Sequence, residues 1–118
     1  MLFRSPARGA RLIQICANCH GTNGLSTAPE IPNLAGQNQA YLEEQMRRFA
    51  DGRRKNVFME GMIKAMKDSE RADVVAFLSS QTMRSYASPA PTDVVARGKA
   101  YFQKVCFRCH GEIGRAHV

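Results

Sequence analysis

Two short motifs constrain this chain more than any other feature of its sequence. The first, CANCH, spans residues 16–20, and the second, CFRCH, spans residues 106–110. Together they contain all four cysteines and two of the three histidines of the chain. Every thiol therefore belongs to a Cys-x-x-Cys-His pattern, and the fold has to suit that use.

The spacing within each motif suits the attachment of a haem. On a helix, residues three or four positions apart lie on one face, as Cys16, Cys19 and His20 do. Two such thiols can form thioether bonds with the two vinyl groups of a haem, and the adjacent imidazole can bind the iron. This spacing is the signature of c-type haem attachment, so we predict one covalent haem c per motif. The corresponding residues of the second motif are Cys106, Cys109 and His110.

Other uses of paired cysteines explain the sequence less well. A zinc site that used both pairs would need them much closer together than the 90 positions that separate them. A thioredoxin-like motif requires a βαβ pattern, which the sequence lacks. Structural disulfides would not explain a histidine directly after each pair. Haem attachment is therefore the interpretation that accounts for all five positions of each motif.

A methionine is expected as the second iron ligand, because ligation by histidine and methionine is typical of electron-transfer haems. Met46 shares an apolar helical face with Leu42 and Phe49, which favours a role in core packing. The segment VFMEGMIKAM offers further candidates, and spacing alone does not choose among them. They are Met59, Met62 and Met66.

The motifs lie within an internal repeat. ARGARLIQICANCHG at residues 7–21 matches ARGKAYFQKVCFRCHG at residues 96–111, with one extra residue in the second copy. Each copy is predicted to be a helix that runs into its motif, and Leu12 and Ile15 are predicted to form the apolar face of the first helix. Residues 39–52 and 68–81 also have helical patterns, and no segment alternates as a strand does.

The repeat suggests how the chain is divided. We predict an all-α domain over residues 1–81, a Pro/Ser/Ala linker over residues 82–93, and the truncated start of a second domain over residues 94–118. The ending IGRAHV, residues 113–118, equals the translation of a common sequencing-adapter stretch. We therefore expect those six residues to be foreign to the native protein.

Composition narrows the choice of partners. The formal net charge of +7 suits acidic proteins or an anionic membrane surface. No basic run is interleaved with aromatic residues, which argues against nucleic acid as a partner. No apolar run approaches the roughly 20 residues that span a bilayer. The start of the chain also lacks the apolar core of a signal peptide, so we expect that such a segment is missing from it.

Longer stretches resemble a known family. CANCHGTNG, IPNLAGQNQAYLEEQMRRFADGRR, FMEGM and SERADVVAFLSSQ are similar to the class I c-type cytochromes, and most of all to the diheme cytochrome c4 group. The likeness runs from about residue 7 to residue 81 and resumes at residues 96–111. It implies the cytochrome c fold, in which short helices wrap around a covalent haem. It also implies two haems in the full-length protein.

The resemblance implies roles for particular residues. His20 and His110 match the histidine ligands of the two irons, and Met59 matches the methionine ligand of the first, with Met62 as the alternative. Pro32 matches the proline whose carbonyl accepts a hydrogen bond from the ligating histidine. Further matches are Leu34 in the haem pocket, and Gly9 and Phe77 where the first and last helices cross.

Five polar residues are candidates for contact with haem propionates, although the three basic ones also suit a solvated surface. They are Gln37, Tyr41, Arg53, Arg54 and Lys55.

The function that the resemblance implies is electron transfer rather than catalysis. A periplasmic diheme cytochrome, soluble or associated with the membrane periphery, would take electrons from a quinol-oxidising complex or a dehydrogenase and pass them to a terminal oxidase. The alternative is the cytochrome subunit of a periplasmic dehydrogenase, of the flavocytochrome or quinoprotein type. A haem peroxidase would need an open iron site, against which the FMEGM element argues for the first haem. The sequence shows no separate catalytic constellation.

Overall fold

The computed structural model describes residues 4–83 and 89–111. These residues form helices and turns, and no β-strand occurs among them, which confirms the predicted all-α fold. The chain separates into two compact units, Met1–Arg84 and Ser85–Val118. The segment expected to be foreign, residues 113–118, lies outside the described residues.

The described part of the first unit contains five α-helices. They are α1 (Pro6–Leu12), α2 (Gln14–His20), α3 (Gln39–Asp51), α4 (Val57–Lys64) and α5 (Asp68–Ser80). A short 3₁₀ turn, Thr22–Gly24, follows α2 and leads into the long loop that precedes α3. Helix α3 ends at Asp51, and Gly52 caps it with a φ of 82°, a left-handed conformation that favours glycine.

Helices α1 and α5 cross at Gly9. A Cβ atom placed on Gly9 would lie 2.0 Å from the carbonyl oxygen of Asp73 and 2.8 Å from the Cβ atom of Phe77. A side chain of any size would therefore push the two helices apart. The contact that the resemblance implied for Gly9 and Phe77 is confirmed.

A buried carboxylate ties the start of α1 to α5. The Asp73 carboxylate accepts hydrogen bonds from the backbone N–H of Ser5 at 2.7 Å and from Nε of Arg8 at 2.9 Å. The Arg8 side chain and the Ser5 N–H hold the pKa of Asp73 below its ordinary value. The helix that leads into the first motif is therefore anchored at its beginning.

Ile13, the single residue between α1 and α2, is the core residue of the segment that leads into the first motif. Its side chain is 1% exposed and packs in one cluster with residues of α3 and α5. The predicted apolar face was wrong in part, because Ile15 is 61% exposed and Leu12 is only half-buried. Gly9, Ile13, Cys16 and His20 recur at intervals of four, three and four residues, which is one helical face. The inward face therefore carries Cys16 and His20 of the motif, whereas Cys19 is exposed.

The second unit is described only between residues 89 and 111. It contains α6 (Thr92–Tyr101), a π-helical turn (Phe102–Cys106) and α7 (Phe107–His110). The second copy of the repeat, which is one residue longer than the first, contains this π-helical turn. Helix α6 begins at Thr92, so it includes the last two residues of the predicted linker.

The described residues of this second unit have no buried core. Tyr101 and Val105, two apolar residues that precede the second motif, are both exposed. A Cβ atom on Gly98, the counterpart of Gly9, would meet no described atom within 4 Å. The packing that surrounds the first copy therefore has no equivalent in the described part of the second.

None of the helices in residues 4–83 or 89–111 combines the length and the apolar character that crossing a membrane requires.

Candidate haem site

A cavity of about 430 Å³ lies in the first unit next to His20. This volume is within the range of small-molecule and cofactor pockets. Its walls come from the end of α2, the loop before α3, and helices α3, α4 and α5. Most of the lining side chains are apolar, and they include Ile31, Leu34, Leu42, Met46, Phe49, Phe58, Met59, Ile63 and Leu78.

His20 lines this cavity in a fixed orientation. Its side chain is at the end of α2 and the residue is 8% exposed. Its Nδ1 atom lies 2.8 Å from the carbonyl oxygen of Pro32. Because a carbonyl can only accept, Nδ1 carries a proton, and in the neutral imidazole Nε2 keeps its lone pair. The ring is therefore in the tautomer that binds a metal through Nε2, and the expected contact with Pro32 is present.

The two cysteines of the first motif have different surroundings. Cys19 is exposed and lines the cavity, whereas Cys16 is half-buried and packs against the hydrophobic core. Burial raises the pKa of the Cys16 thiol. Neither cysteine forms a disulfide, and both lie on the same helix as His20, so one element carries all three groups of the motif.

The three candidate methionines occupy three different environments. Met59 lines the cavity, Met66 packs against the hydrophobic core, and Met62 is half-buried but is not part of the cavity lining. Met46, predicted to be a core residue, does pack against the core and also lines the cavity. The structure thus brings Met59 and Met46, and not Met62, to the same cavity as His20.

The start of α4 is fixed by a cap that bears directly on Met59. The side-chain oxygen of Asn56 accepts a hydrogen bond from the backbone N–H of Met59 at 2.9 Å. The Glu60 carboxylate in turn accepts from the backbone N–H of Asn56 at 3.1 Å. These two bonds satisfy N–H groups at the helix start and hold Met59 in its first turn.

Polar side chains from several elements also line the cavity. Four of the five propionate candidates belong to the lining: Gln37, Tyr41, Arg54 and Lys55. Arg54 donates to Gln45 at 2.8 Å, and its guanidinium lies 4.7 Å from the centre of the Phe49 ring. Arg53 is outside the lining and forms ion pairs with Asp51 and Glu44. This agrees with the alternative prediction that the basic candidates lie on a solvated surface.

A network in the loop before α3 was not found from the sequence. The side-chain oxygen of Asn33 accepts a hydrogen bond from the backbone N–H of Ser26 at 2.6 Å. The side-chain amide of Gln37 donates to the backbone carbonyl of Asn33. The only signal in the sequence was an asparagine next to a proline in a glycine-rich loop, where such side chains often bind backbone groups.

The second motif lies on the π-helical turn and α7. Cys106 is half-buried, and Cys109 and His110 are exposed within the part of the chain that is described. Neither cysteine forms a disulfide. Over residues 4–83 and 89–111, no three His, Cys, Asp or Glu side chains are close enough to hold a metal ion by themselves.

The residues of the cavity fit a haem. Apolar side chains suit the faces of a porphyrin, and the polar side chains at Gln37, Tyr41, Arg54 and Lys55 suit its carboxylates. Nε2 of His20 is in the form that binds iron, and the thiols of Cys16 and Cys19 sit on the same helix. Cys19 and His20 therefore line the cavity, and Cys16, the other cysteine that a covalent haem requires, lies one helical turn before Cys19 on the same helix.

Comparison with known proteins agrees with this fit. A family model described as Cytochrome c matches residues 6–82. Cytochrome c4 of Pseudomonas aeruginosa is 35% identical over 116 residues, which cover 92% of this chain and 57% of that protein. A thiosulfate dehydrogenase electron acceptor of Thiomonas intermedia is 33% identical over 106 residues, which cover 81% of this chain and 49% of that protein.

A solved structure shares the fold. The crystal structure of reduced recombinant cytochrome c4 from Pseudomonas stutzeri is similar with a TM-score of 0.75 and 29% sequence identity, and the match covers 92% of this chain and 65% of that one. This chain spans about half to two thirds of the length of the relatives it matches. The chain belongs to the cytochrome c family and carries covalent haem c.

Proposed function

We propose that the first unit is a carrier of single electrons, with a haem attached to Cys16 and Cys19 and ligated by His20 and Met59. The observation that carries this proposal is that His20, with its Nδ1 proton engaged by Pro32, and Met59 line one cavity. When bound, the haem supplies an iron that alternates between the ferrous and ferric states. Ligation by both residues leaves no iron position for a substrate.

The protein's own residues set the conditions for this exchange. His20 is buried and keeps one orientation, so the lone pair of its Nε2 atom remains available to bind the iron. The apolar lining lowers the local polarity, which disfavours the more highly charged iron state. Cys19 and Phe58 both line the cavity and are exposed, so the cavity reaches the surface beside them. Electrons would enter and leave at that surface.

The wider role follows from the same proposal. The partners would be redox proteins, with a quinol-oxidising complex or a dehydrogenase as donor and a terminal oxidase as acceptor. A second haem would attach to Cys106 and Cys109, with His110 as its histidine ligand. We place the protein in the periplasm, where it would be soluble or bound at the membrane periphery. Its likeness to cytochrome c4 over 92% of the chain supports this role.

The second candidate is the cytochrome subunit of a dehydrogenase. Its support is the 33% identity to a thiosulfate dehydrogenase electron acceptor. The same haem unit would serve both roles, so the partner decides between them. Stoichiometric co-purification with a dehydrogenase from the native source would favour the subunit role, whereas purification as a free cytochrome would favour the carrier.

A test of the carrier function compares the unmodified chain with Met59→Ala, both exported in a host that has haem-attachment machinery. We expect the unmodified protein to titrate reversibly with one-electron behaviour, and its ferrous form not to bind carbon monoxide at the first haem. Met59→Ala should bind carbon monoxide readily, because a ligand position is opened. A chain truncated after residue 92 removes the contribution of the second motif. Rapid carbon monoxide binding by the unmodified first unit would contradict a closed site.

A further inference from the structure

The carbonyl that engages His20 lies in a loop without regular structure. Pro32 has an exposed ring, and its carbonyl belongs to the peptide group that joins it to Asn33. Because a peptide group is planar and rigid, the direction of this carbonyl is fixed only if Asn33 is fixed. What holds Asn33 therefore decides how well Pro32 can accept the hydrogen bond from His20.

Asn33 is held by hydrogen bonds to its side chain and to its backbone carbonyl. Its side-chain oxygen accepts the Ser26 N–H at 2.6 Å, and its backbone carbonyl accepts from the Gln37 side chain. Ser26 is 6% exposed, so its N–H would be left without a partner in a buried position if the Asn33 acceptor were removed. The backbone N–H of the next residue, Leu34, is bound to the Gly24 carbonyl at 2.9 Å.

These bonds join the loop to the segment that follows His20 directly. Gly24 and Ser26 lie four and six residues after His20, and both bind residues just beyond Pro32. Hydrogen bonds thus join the segment after His20 to the residues just after Pro32. A change at Asn33 would loosen the Pro32 carbonyl without touching the cavity, because Asn33 is not part of the cavity lining.

We infer that Asn33 is a positioning residue for His20, and that it adjusts the redox potential of the first haem by holding the Pro32 carbonyl against Nδ1. The inference rests on the proposed function, because it requires His20 to bind the iron. A hydrogen bond from Nδ1 to a carbonyl makes the imidazole a stronger electron-pair donor to the iron, which favours the ferric state. Loosening that bond should favour ferrous iron and raise the potential.

The test uses three variants of the full-length chain with its haem attached. Asn33→Leu removes the acceptor at similar size, and Asn33→Asp keeps an oxygen that can accept from Ser26. Ser5→Ala is the matched control. It removes the Ser5 hydroxyl oxygen, which caps α1 by accepting the Arg8 N–H at 3.2 Å. Ser5 is far along the chain from the loop that contains Asn33. If Asn33→Leu gives no folded protein, Asn33→Ala takes its place in the experiment, because it removes the same hydrogen-bond acceptor.

Two quantities are measured in each protein. The first is the midpoint potential of the first haem, and the second is the exchange rate of the His20 Nδ1 proton with solvent in the diamagnetic ferrous form, followed by NMR. We expect Asn33→Leu to raise the potential by up to about 59 mV, a tenfold change in the one-electron equilibrium. The Nδ1 proton should exchange faster in Asn33→Leu than in Asn33→Asp or Ser5→Ala.

Each outcome bears on one idea. An unchanged potential and an unchanged exchange rate in Asn33→Leu, with a low-spin spectrum still present, would overturn the role of Asn33 and leave the proposed function intact. An equal shift of potential in Ser5→Ala would also overturn it, since the effect would then come from general loss of stability. Absence of a low-spin haem in the unmodified protein would contradict the proposed function instead.

Discussion

Nδ1 of His20 lies 2.8 Å from the carbonyl oxygen of Pro32, twelve residues further along the chain. The contact fixes which ring nitrogen carries the proton and which way the imidazole faces. It also joins the motif helix α2 to the loop that precedes α3. The site is therefore organised by the backbone of a loop as much as by the helix that carries the thiols.

The close crossing of α1 and α5 makes Gly9 sensitive to any side chain. We expect Gly9→Ala to lower the free energy of unfolding by about 3 kcal/mol, because the new Cβ would lie 2.0 Å from the Asp73 carbonyl oxygen. Gly98→Ala is the matched control from the second copy of the repeat, where nothing described lies within 4 Å. It should change stability by less than about 1 kcal/mol. Denaturant unfolding monitored by circular dichroism measures both, and equal effects would contradict the crossing.

Ile13 is buried and Ile15 is exposed, so these two isoleucines provide a second matched pair of substitutions. Ile13→Ala should lower the free energy of unfolding by about 2–5 kcal/mol, because Ile13 is 1% exposed and belongs to the core cluster. Ile15→Ala should change it by no more than about 0.5 kcal/mol. Thermal or denaturant unfolding separates the two. A larger loss at Ile15 would mean that the motif helix is rotated from the orientation described.

The buried carboxylate of Asp73 predicts a dependence of stability on acid pH. Its pKa in the folded protein is lowered by Arg8 and the Ser5 N–H, with a smaller contribution from Arg11. The stabilisation is therefore complete above the ordinary value of 3.8 and is lost as the pH falls through the lowered folded value. We expect the free energy of unfolding to fall more steeply below about pH 4 in the unmodified protein than in Asp73→Asn.

The control for this pH dependence is Asp68→Asn. Asp68 is on the same helix, and its side chain is 78% exposed. An exposed ion pair contributes little to stability, so this variant should keep the steep acid dependence of the unmodified protein. Identical acid profiles for Asp73→Asn and the unmodified protein would show that the buried carboxylate is not responsible.

The cap at the start of α4 should affect how firmly Met59 stays in place. Asn56→Ala removes the acceptor of the Met59 N–H, which costs about 1 kcal/mol at a helix start. In ferric protein we therefore expect added imidazole to displace methionine at roughly fivefold lower concentration. Asn38→Ala is the control, because the Asn38 side chain caps α3 by accepting the Tyr41 N–H at 3.1 Å. Equal imidazole titrations in the two variants would exclude a specific role of the α4 cap.

Much of the site could be predicted because its chemistry is local. The spacing of Cys16, Cys19 and His20 already places the three groups on one helical face. The contacts of His20 with Pro32 and of Gly9 with Phe77 were expected from the resemblance, and the structure shows both. Fold class followed from helical periodicity without any strand pattern.

What could not be predicted depends on tertiary packing. The burial of Ile13 rather than Ile15 depends on which face the helix turns toward α3 and α5, and periodicity over seven residues allows more than one face. The bond between Ser26 and Asn33 links loop residues whose approach no periodicity encodes. Met46 was predicted to be a core residue, yet it also lines the cavity, because the core and the cavity lie on the same side of α3.

The absorption spectrum of the ferric protein tests the central claim most directly. It should be recorded for the full chain with its haem attached and for Met59→Ala, Met62→Ala and Met46→Ala. The methionine–iron charge-transfer band should disappear only in Met59→Ala, because His20 and Met59 are proposed to close both sides of the iron. Loss of the band only in Met46→Ala or Met62→Ala would move the ligand to that residue. A high-spin spectrum in the unmodified first unit would contradict a closed electron-transfer site altogether.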